Sequence, residues 1–281
     1  MNQRPFLRIF TMPAALCALG FAAAMAAVLQ YSLRAYIPGS LDPGGFTLVN
    51  FLDLLKPLYA RVFLDTVLIC ALTAIVTLLV GYPLAYALVH IERPWIKSAM
   101  LIIIVTPLFL GEVVRTYSWI IVLGNNGFIN SLLRGLGLIE QPIQFMFTTS
   151  GVVVALVHVT LPVMVIMLAA GLSHIDRDYQ RAAESLGAGP LRAFRHVFLP
   201  LSLPGVVNGC ILVFTICLGF YITPILLGTP RDMMISQLIN QQIEDLLAWG
   251  FASAIATMLL VVTLVLLAIY NRFAGLDRLW G

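Results

Sequence analysis

Residues 149–172 read TSGVVVALVHVTLPVMVIMLAAGL, inside a tract from 141 to 173 that contains no Asp, Glu, Lys or Arg. A helix needs about 20 predominantly apolar residues to cross a hydrocarbon core about 30 Å thick, and this stretch has that length. Working outward, equally charge-free tracts lie at 9–33, 197–230 and 246–271. Residues 62–91 carry Asp65 as their single formal charge, and residues 98–124 carry Glu112 and Arg115. Trimmed to membrane length, these tracts predict six helices near 12–33, 62–88, 99–123, 149–172, 205–228 and 250–271. A membrane β-barrel alternates over segments of about 10 residues, so these unbroken runs exclude it. The expected fold class is an all-α integral membrane protein.

Composition agrees. Of 281 residues, 60% are hydrophobic and 10% charged, with a mean hydropathy of +0.98. Soluble domains hold about 45–50% apolar and about 25% charged residues, so a water-soluble enzyme, a disordered chain and a nucleic-acid binder are all excluded. Sixteen Lys+Arg against 13 Asp+Glu leave +3, which points to no acidic partner. Cys17, Cys70, Cys210 and Cys217 lie in apolar runs without CxxC or CxxH spacing, so neither a disulfide framework nor a metal site is expected. Arg4 and Arg8 before an apolar stretch also fit a signal peptide. A signal core is about 7–15 residues long, however, and the longer run predicts a retained first span.

Lys and Arg collect on the cytoplasmic side of membrane helices. Arg4, Arg8, Arg93, Lys97, Arg177, Arg181, Arg192, Arg195, Arg272 and Arg278 fall on one side, against Arg34, Lys56, Arg61, Arg134 and Arg231 on the other. This count predicts both termini in the cytoplasm. The organisation expected is a first span with its outer loop (1–61), a core of five spans (62–272) and a short cytoplasmic tail (273–281). Of the outer loops, 35–61 begins with Pro38, Gly39, Pro43, Gly44 and Gly45, then places Phe51, Leu54, Leu55 and Leu58 on one helical face. Asn125–Gly127 marks a turn, and 229–249 has room for a short helix over 234–247.

The cytoplasmic loop 173–204 carries most information. Asp176 or Asp178 is suited to cap a helix that Gly187 ends, with Tyr179, Ala182, Ala183 and Leu186 as a narrow stripe of mostly small residues. Gly189 and Pro190 suit the cap and first position of a second helix, which Pro200 is expected to stop. Leu191, Phe194 and Phe198 share a face of it. Pattern alone fits two readings, a docking element for another protein or a basic loop resting on anionic headgroups.

The same loop resembles the EAA loop of permease subunits in binding-protein-dependent ABC importers. Arg181-Ala182-Ala183, Gly187, Val197 and Leu199-Pro200 reproduce that spacing, with Arg181 in place of the usual Glu and Glu184 one turn further on. The similarity runs from Val62 to Arg272. Gly81–Ala85, Val114–Trp119 and Phe220–Pro224 are similar to the spermidine/putrescine branch of the family. The resemblance implies a type I ABC importer permease fold in a bacterial inner (plasma) membrane, for a polyamine or a related small organic solute. It implies that Arg181, Ala182, Ala183, Glu184, Gly187, Ala188, Leu191 and Phe194 couple to an ATPase, with a coupling helix over 188–196. It also implies a second permease chain in a heterodimer, two ATPase subunits that carry ATP and Mg, and a periplasmic or lipid-tethered solute-binding protein. No cofactor is expected in this chain. Lys56 and Lys97 are its two lysines, neither lies in a G-x-x-x-x-G-K-[ST] loop, and ATP hydrolysis is expected on a partner.

A charge within the bilayer costs at least about 2.5–3.5 kcal/mol, so such groups face protein or water. Glu112, Arg115, Thr116 and Trp119 form a polar stripe on the third helix, either as a self-neutralising pair or as part of the solute path. Pro224 is expected to bend the fifth helix beside Phe220 and Tyr221. Glu112, Trp119 and Tyr221 suit an organic cation, since aromatic faces hold cations at about 0.5–2 kcal/mol each. Asp65 complements the dipole of the second helix, and His158 fits a hydrogen-bonded structural role. An ion-coupled secondary transporter is the alternative.

Overall fold

The structure is a computed structural model that describes residues 4–37, 44–176 and 178–274. Pro38, Gly39, Pro43, Arg177 and Arg278 therefore lie outside the described residues. Five helices are long and apolar enough to cross a membrane: Thr11–Ser32, Pro57–His90, Thr149–Ser173, Pro190–Leu218 and Trp249–Ala268. A bent pair, Pro94–Phe109 followed by Glu112–Gly135 at 107°, brings the spans to six where the pair is counted as one. Among the described residues the β structure is one isolated bridge, Arg34 to Phe46.

The chain divides into two compact units, one of residues 1–61 with 238–281 and one of residues 62–237. The last span thus groups with the first. In that unit α1 (Arg4–Ser32) packs along α13 (Trp249–Ala274). The short helix α2 (Val49–Leu54) is pinned by buried Asn50, whose amide donates to the carbonyls of Ser32 (2.9 Å) and Arg34 (2.8 Å). Tyr36 donates to the Leu246 carbonyl at 2.9 Å, and the ring of Tyr59 meets Phe251 edge-on. These contacts tie the outer loop to the start of α13.

The second unit is built on α7 (Thr149–Ser173), where Val152, Leu156, Met164, Val165 and Leu168 are wholly buried. Around it lie α3 (Pro57–His90), α4 (Pro94–Val105), α5 (Glu112–Leu123), α6 (Phe128–Gly135), α8 (Asp178–Ser185), α9 (Pro190–Ala193), α10 (Leu199–Leu218) and α11 (Ile222–Leu227). The chain passes from this unit to the other within α12 (Ile235–Glu244). Lipid tails are as apolar as leucine, so membrane helices associate through close packing and hydrogen bonds. Here α7 meets α10 where Gly171 faces Gly205, close enough that a Cβ on Gly171 would stand 3.1 Å from the Gly205 Cα. Buried Thr77 and Thr160 share a 3.1 Å hydrogen bond that ties α3 to α7.

Three sequence expectations are corrected. The helix expected over 99–123 is broken: α4 ends at Val105, a 3₁₀ turn covers Thr106–Phe109, and Leu110 and Gly111 are extended before α5 begins. Pro107 has no amide proton to carry the helical ladder through this region. The fifth span starts earlier than 205, because its helix runs through Pro200. A π turn over Phe194–Phe198, with the Leu199 amide reaching the Phe194 carbonyl, widens the helix just where the proline ring would crowd the His196 carbonyl. The same span ends at Leu218, before Pro224. Pro224 is the third residue of α11, where a missing donor costs nothing, so it opens a helix instead of bending one. In the outer loops, α12 falls within the stretch expected to be helical, whereas α6 had no counterpart in the sequence reading.

Candidate functional site

Loop 173–204 forms the helix–glycine–helix unit. The Asp178 amide donates to Asp176 Oδ1 at 3.0 Å, which starts α8. Gly187 ends it in the left-handed region (φ +89°), and the Ala188 amide donates to the Ala183 carbonyl at 3.0 Å. That conformation is open to glycine and strained for residues with a Cβ. Gly189 caps the next helix, with Pro190 at its first position.

On this frame Arg181 pairs with Asp178 at 3.2 Å, both exposed. Ala182 and Glu184 are exposed, and Ala183 and Ala188 are half-buried. Leu186 and Leu191 stand out at 89% and 79% exposure, a large commitment of apolar surface to water. Phe194 differs from them. It stacks on Phe198 (5.7 Å) and meets Tyr86 (5.6 Å) and Tyr82 (6.3 Å) edge-on, so it packs within the unit. Tyr82 also hydrogen-bonds Ser202 at 2.9 Å, and Tyr86 stacks on His90. Sequence reasoning missed these partners, which lie about a hundred residues upstream. The π turn joins loop 173–204 to α3 through aromatic rings.

The second cluster gathers at the bend between α4 and α5 and at the start of α11. Arg115 is 7% exposed, and its Nη1 donates to the Pro107 carbonyl at 2.7 Å, capping the end of the interrupted helix. No ion pair joins Glu112 to Arg115, and Glu112 Oε1 and Arg115 Nε are buried without a hydrogen-bond partner. Thr116 donates to the Glu112 carbonyl at 2.9 Å and meets Thr223 of α11 at 3.2 Å. Trp119 Nε1 donates to His158 Nδ1 at 3.2 Å, so the ring carries its own proton on Nε2. The carbonyl of half-buried Phe220 accepts from Ser236 at 2.6 Å, and Tyr221 is exposed at the cap of α11. The structure thus brings Arg115, Thr116, Trp119, His158 and Thr223 together, with Glu112 opening α5 beside them.

Another polar tie was not visible in the sequence. Asp232 is buried and accepts hydrogen bonds from the Thr149 hydroxyl, the Thr229 amide (2.9 Å) and the Thr229 hydroxyl (2.7 Å). Burial pushes its pKa upward, but these three donors outweigh burial and hold the carboxyl below its usual range. On the surface, the hydrogen bond and charge of Asp53 raise the pKa of Lys56, 2.8 Å away.

A set of membrane-crossing helices, one of them a bent pair beside a buried polar cluster, with an exposed helix–glycine–helix loop between spans, is the architecture of a transport permease. Residues 77–275 match the family described as binding-protein-dependent transport system inner membrane component. The chain belongs to this family, the membrane-embedded permeases of ABC importers. It is 32% identical over 231 residues to the spermidine/putrescine transport system permease protein PotB of Escherichia coli K12, covering 82% of this chain and 84% of that one. It is 33% identical to the protein of the same name in Salmonella typhimurium SL1344, covering 82% of this chain and 80% of that one. A permease chain of a bacterial alginate ABC transporter, crystallised with an alginate-bound periplasmic protein, has the same fold. It superposes with a TM-score of 0.76 at 18% identity, covering 97% of this chain and 95% of that one.

Proposed function

We propose that this chain forms one half of the translocation path of an ATP-driven importer for a polyamine or a similar small organic cation. The observation that carries this reading is the identity, sustained over four fifths of both chains, to a permease named for spermidine and putrescine. In this reading a second, different permease chain completes the path, and a periplasmic or lipid-tethered protein delivers the solute. Two ATPase subunits bind ATP and Mg and dock on loop 173–204, and both termini lie in the cytoplasm.

Glu112 supplies negative charge at the mouth of α5, and Trp119 and Tyr221 supply aromatic faces for an organic cation. Arg115 holds the break between α4 and α5 in shape, and Thr116 carries that shape to α11. Leu186 and Leu191 are apolar anchors for the ATPase groove, and Gly187 sets the angle between the helices that bear them.

The test is uptake by the complete complex in proteoliposomes, supplied with its binding protein and ATP. ATP-dependent, saturable entry of putrescine or spermidine is expected. ATP-driven entry of another solute with no polyamine transport overturns the substrate, and uptake driven by an ion gradient without ATP overturns the importer mechanism. Orientation is tested separately: Gly189→Cys in a cysteine-free chain should resist an impermeant thiol reagent applied from outside, and labelling there would reverse the topology.

A further inference from the structure

A cavity of about 470 Å³ opens where the end of α3, the start of α4 and the end of α7 meet. Its wall is apolar at Leu88 and Leu172 and polar at His90, Lys97, Ser173 and Asp176. Among the described residues no carboxylate pairs with Lys97. The Asp176 carboxylate gives one oxygen, Oδ1, to the Asp178 amide. His90 uses Nδ1 on the Tyr86 carbonyl at 2.8 Å, with its ring stacked on Tyr86, which leaves Nε2 as its second polar atom. Ser173 donates to the Ala170 carbonyl at 2.7 Å, and its oxygen keeps acceptor capacity. One fixed cation and one fixed anion thus share a half-apolar chamber without neutralising each other.

The depth of the chamber along α4 narrows what it holds. Trp95 is 69% exposed at the start of this helix, and tryptophan concentrates at the membrane–water interface. Further along, Ile102 and Ile103 are exposed, as befits a surface bathed in acyl chains. Lys97 lies between the two, at the level of lipid headgroups, where basic pockets between membrane helices collect phosphates. We propose that this cavity seats a phospholipid whose headgroup carries both a phosphate and a primary ammonium, with the phosphate on Lys97, the ammonium on Asp176 and the acyl chains along α4. Because Asp176 also starts α8, an occupied cavity braces the first turn of the coupling loop. The leaflet, the cytoplasmic one, rests on the orientation proposed above; the binding does not.

The test uses the purified full-length chain in its assembled complex, delipidated in detergent, with retained lipid read by native mass spectrometry. Phosphatidylethanolamine should be retained about fivefold better than phosphatidylcholine or phosphatidylglycerol, the worth of one charge contact at the membrane surface. Lys97→Ala, which removes the contact to the phosphate that all three lipids share, should lower retention of each, and Asp176→Asn should remove the preference. Asn caps helices as well as Asp does, so the second change leaves the start of α8 intact. Lys56→Ala, on a different loop, should behave as the parent. Ala169→Phe, which fills the cavity from α7, should abolish retention. Equal retention of the three lipids, or parental retention by the Lys97 and Asp176 variants, overturns the proposal. Displacement of the lipid by free phosphoethanolamine at equal concentration overturns it too, and marks a soluble amino-phosphate as the occupant. Since binding and not uptake is measured, these outcomes are independent of whether the complex transports polyamines.

Discussion

Thr116 and Thr223 stand 107 residues apart in sequence, and their hydroxyls meet at 3.2 Å between α5, which begins just after the bend that follows α4, and α11, which begins just after the fifth span ends. Thr116 spends its proton on the Glu112 carbonyl, so Thr223 must be the donor between them. The two threonines therefore differ. Thr116→Val strands a buried donor on Thr223 and should cost about 1–3 kcal/mol, whereas Thr223→Val leaves Thr116 satisfied and should cost less. Thermal unfolding of the purified complex checks the order. Equal losses would mean that the bond between the two helices contributes little.

The helix boundaries explain how much of this cluster was readable in advance. Charge-free runs located the spans, since twenty apolar residues in a row have few alternatives in a membrane protein. Glu112, Arg115, Thr116 and Trp119 stood out because polar side chains there need a reason. Their geometry was hidden, because Pro224 reads as a bend in a continuous helix, whereas it lies in the first turn of a new one, and the charge-free run around Pro107 shows no break. Only long-range packing decides, and no short-range pattern reports that Arg115 will find the Pro107 carbonyl or Trp119 will find His158. Asp232 was invisible for the same reason, since one of its partners, Thr149, lies 83 residues away.

Arg115 and Glu112 separate two accounts of the polar stripe. Arg115 Nη1 caps the Pro107 carbonyl, and no ion pair or hydrogen bond links it to Glu112, so neither side chain anchors the other. Arg115→Gln should lower the yield of assembled complex, with a loss of about 1.5–3 kcal/mol for a hydrogen bond from a charged group. Glu112→Gln should leave assembly nearly intact and weaken uptake. Adding Glu112→Gln to Arg115→Gln should then recover nothing. Recovery of yield by the double variant would show that the two charges neutralise each other after all.

Asp232 makes part of the stability depend on pH. Its carboxyl is held below the usual range in the folded chain, so its contribution is fully present above the unfolded value of about 3.9 and is lost as pH falls through the folded one. Asp232→Asn presents an amide N–H₂ or a mismatched oxygen to donors that now need two acceptors. It should unfold at lower temperature than the parent at pH 7, with the gap closing as the pH drops below about 4. A gap that stays constant across this range would remove the carboxylate's charge from the account.

Leu191 and Phe194 carry the sharpest test of loop 173–204, because one is left in the open and the other is held by aromatic rings. The π turn beginning at Phe194 inserts an extra residue into the helical count and re-phases the helix that follows it, while the rings of Phe194 and Phe198 meet Tyr86. Leu191, before the turn, stays 79% exposed. Leu191→Glu therefore buries nothing and disturbs no intramolecular contact. It should leave expression and thermal stability unchanged while uptake, and co-purification with the ATPase, fall at least tenfold. Phe194→Glu places a charge among Tyr82, Tyr86 and Phe198, so its loss of uptake should come with a lower yield of the chain itself. Phe194→Leu, which keeps the apolar volume but not the ring contacts, should fall between the two. Gly187→Ala adds strain at φ +89° of about 1 kcal/mol, and Gly187→Asn should be the milder change, since Asn enters the left-handed region more readily. If Leu191→Glu retained full uptake while Phe194→Glu folded normally and lost it, the ATPase would be reading the aromatic face, and the inward packing of Phe194 would have to open during the transport cycle.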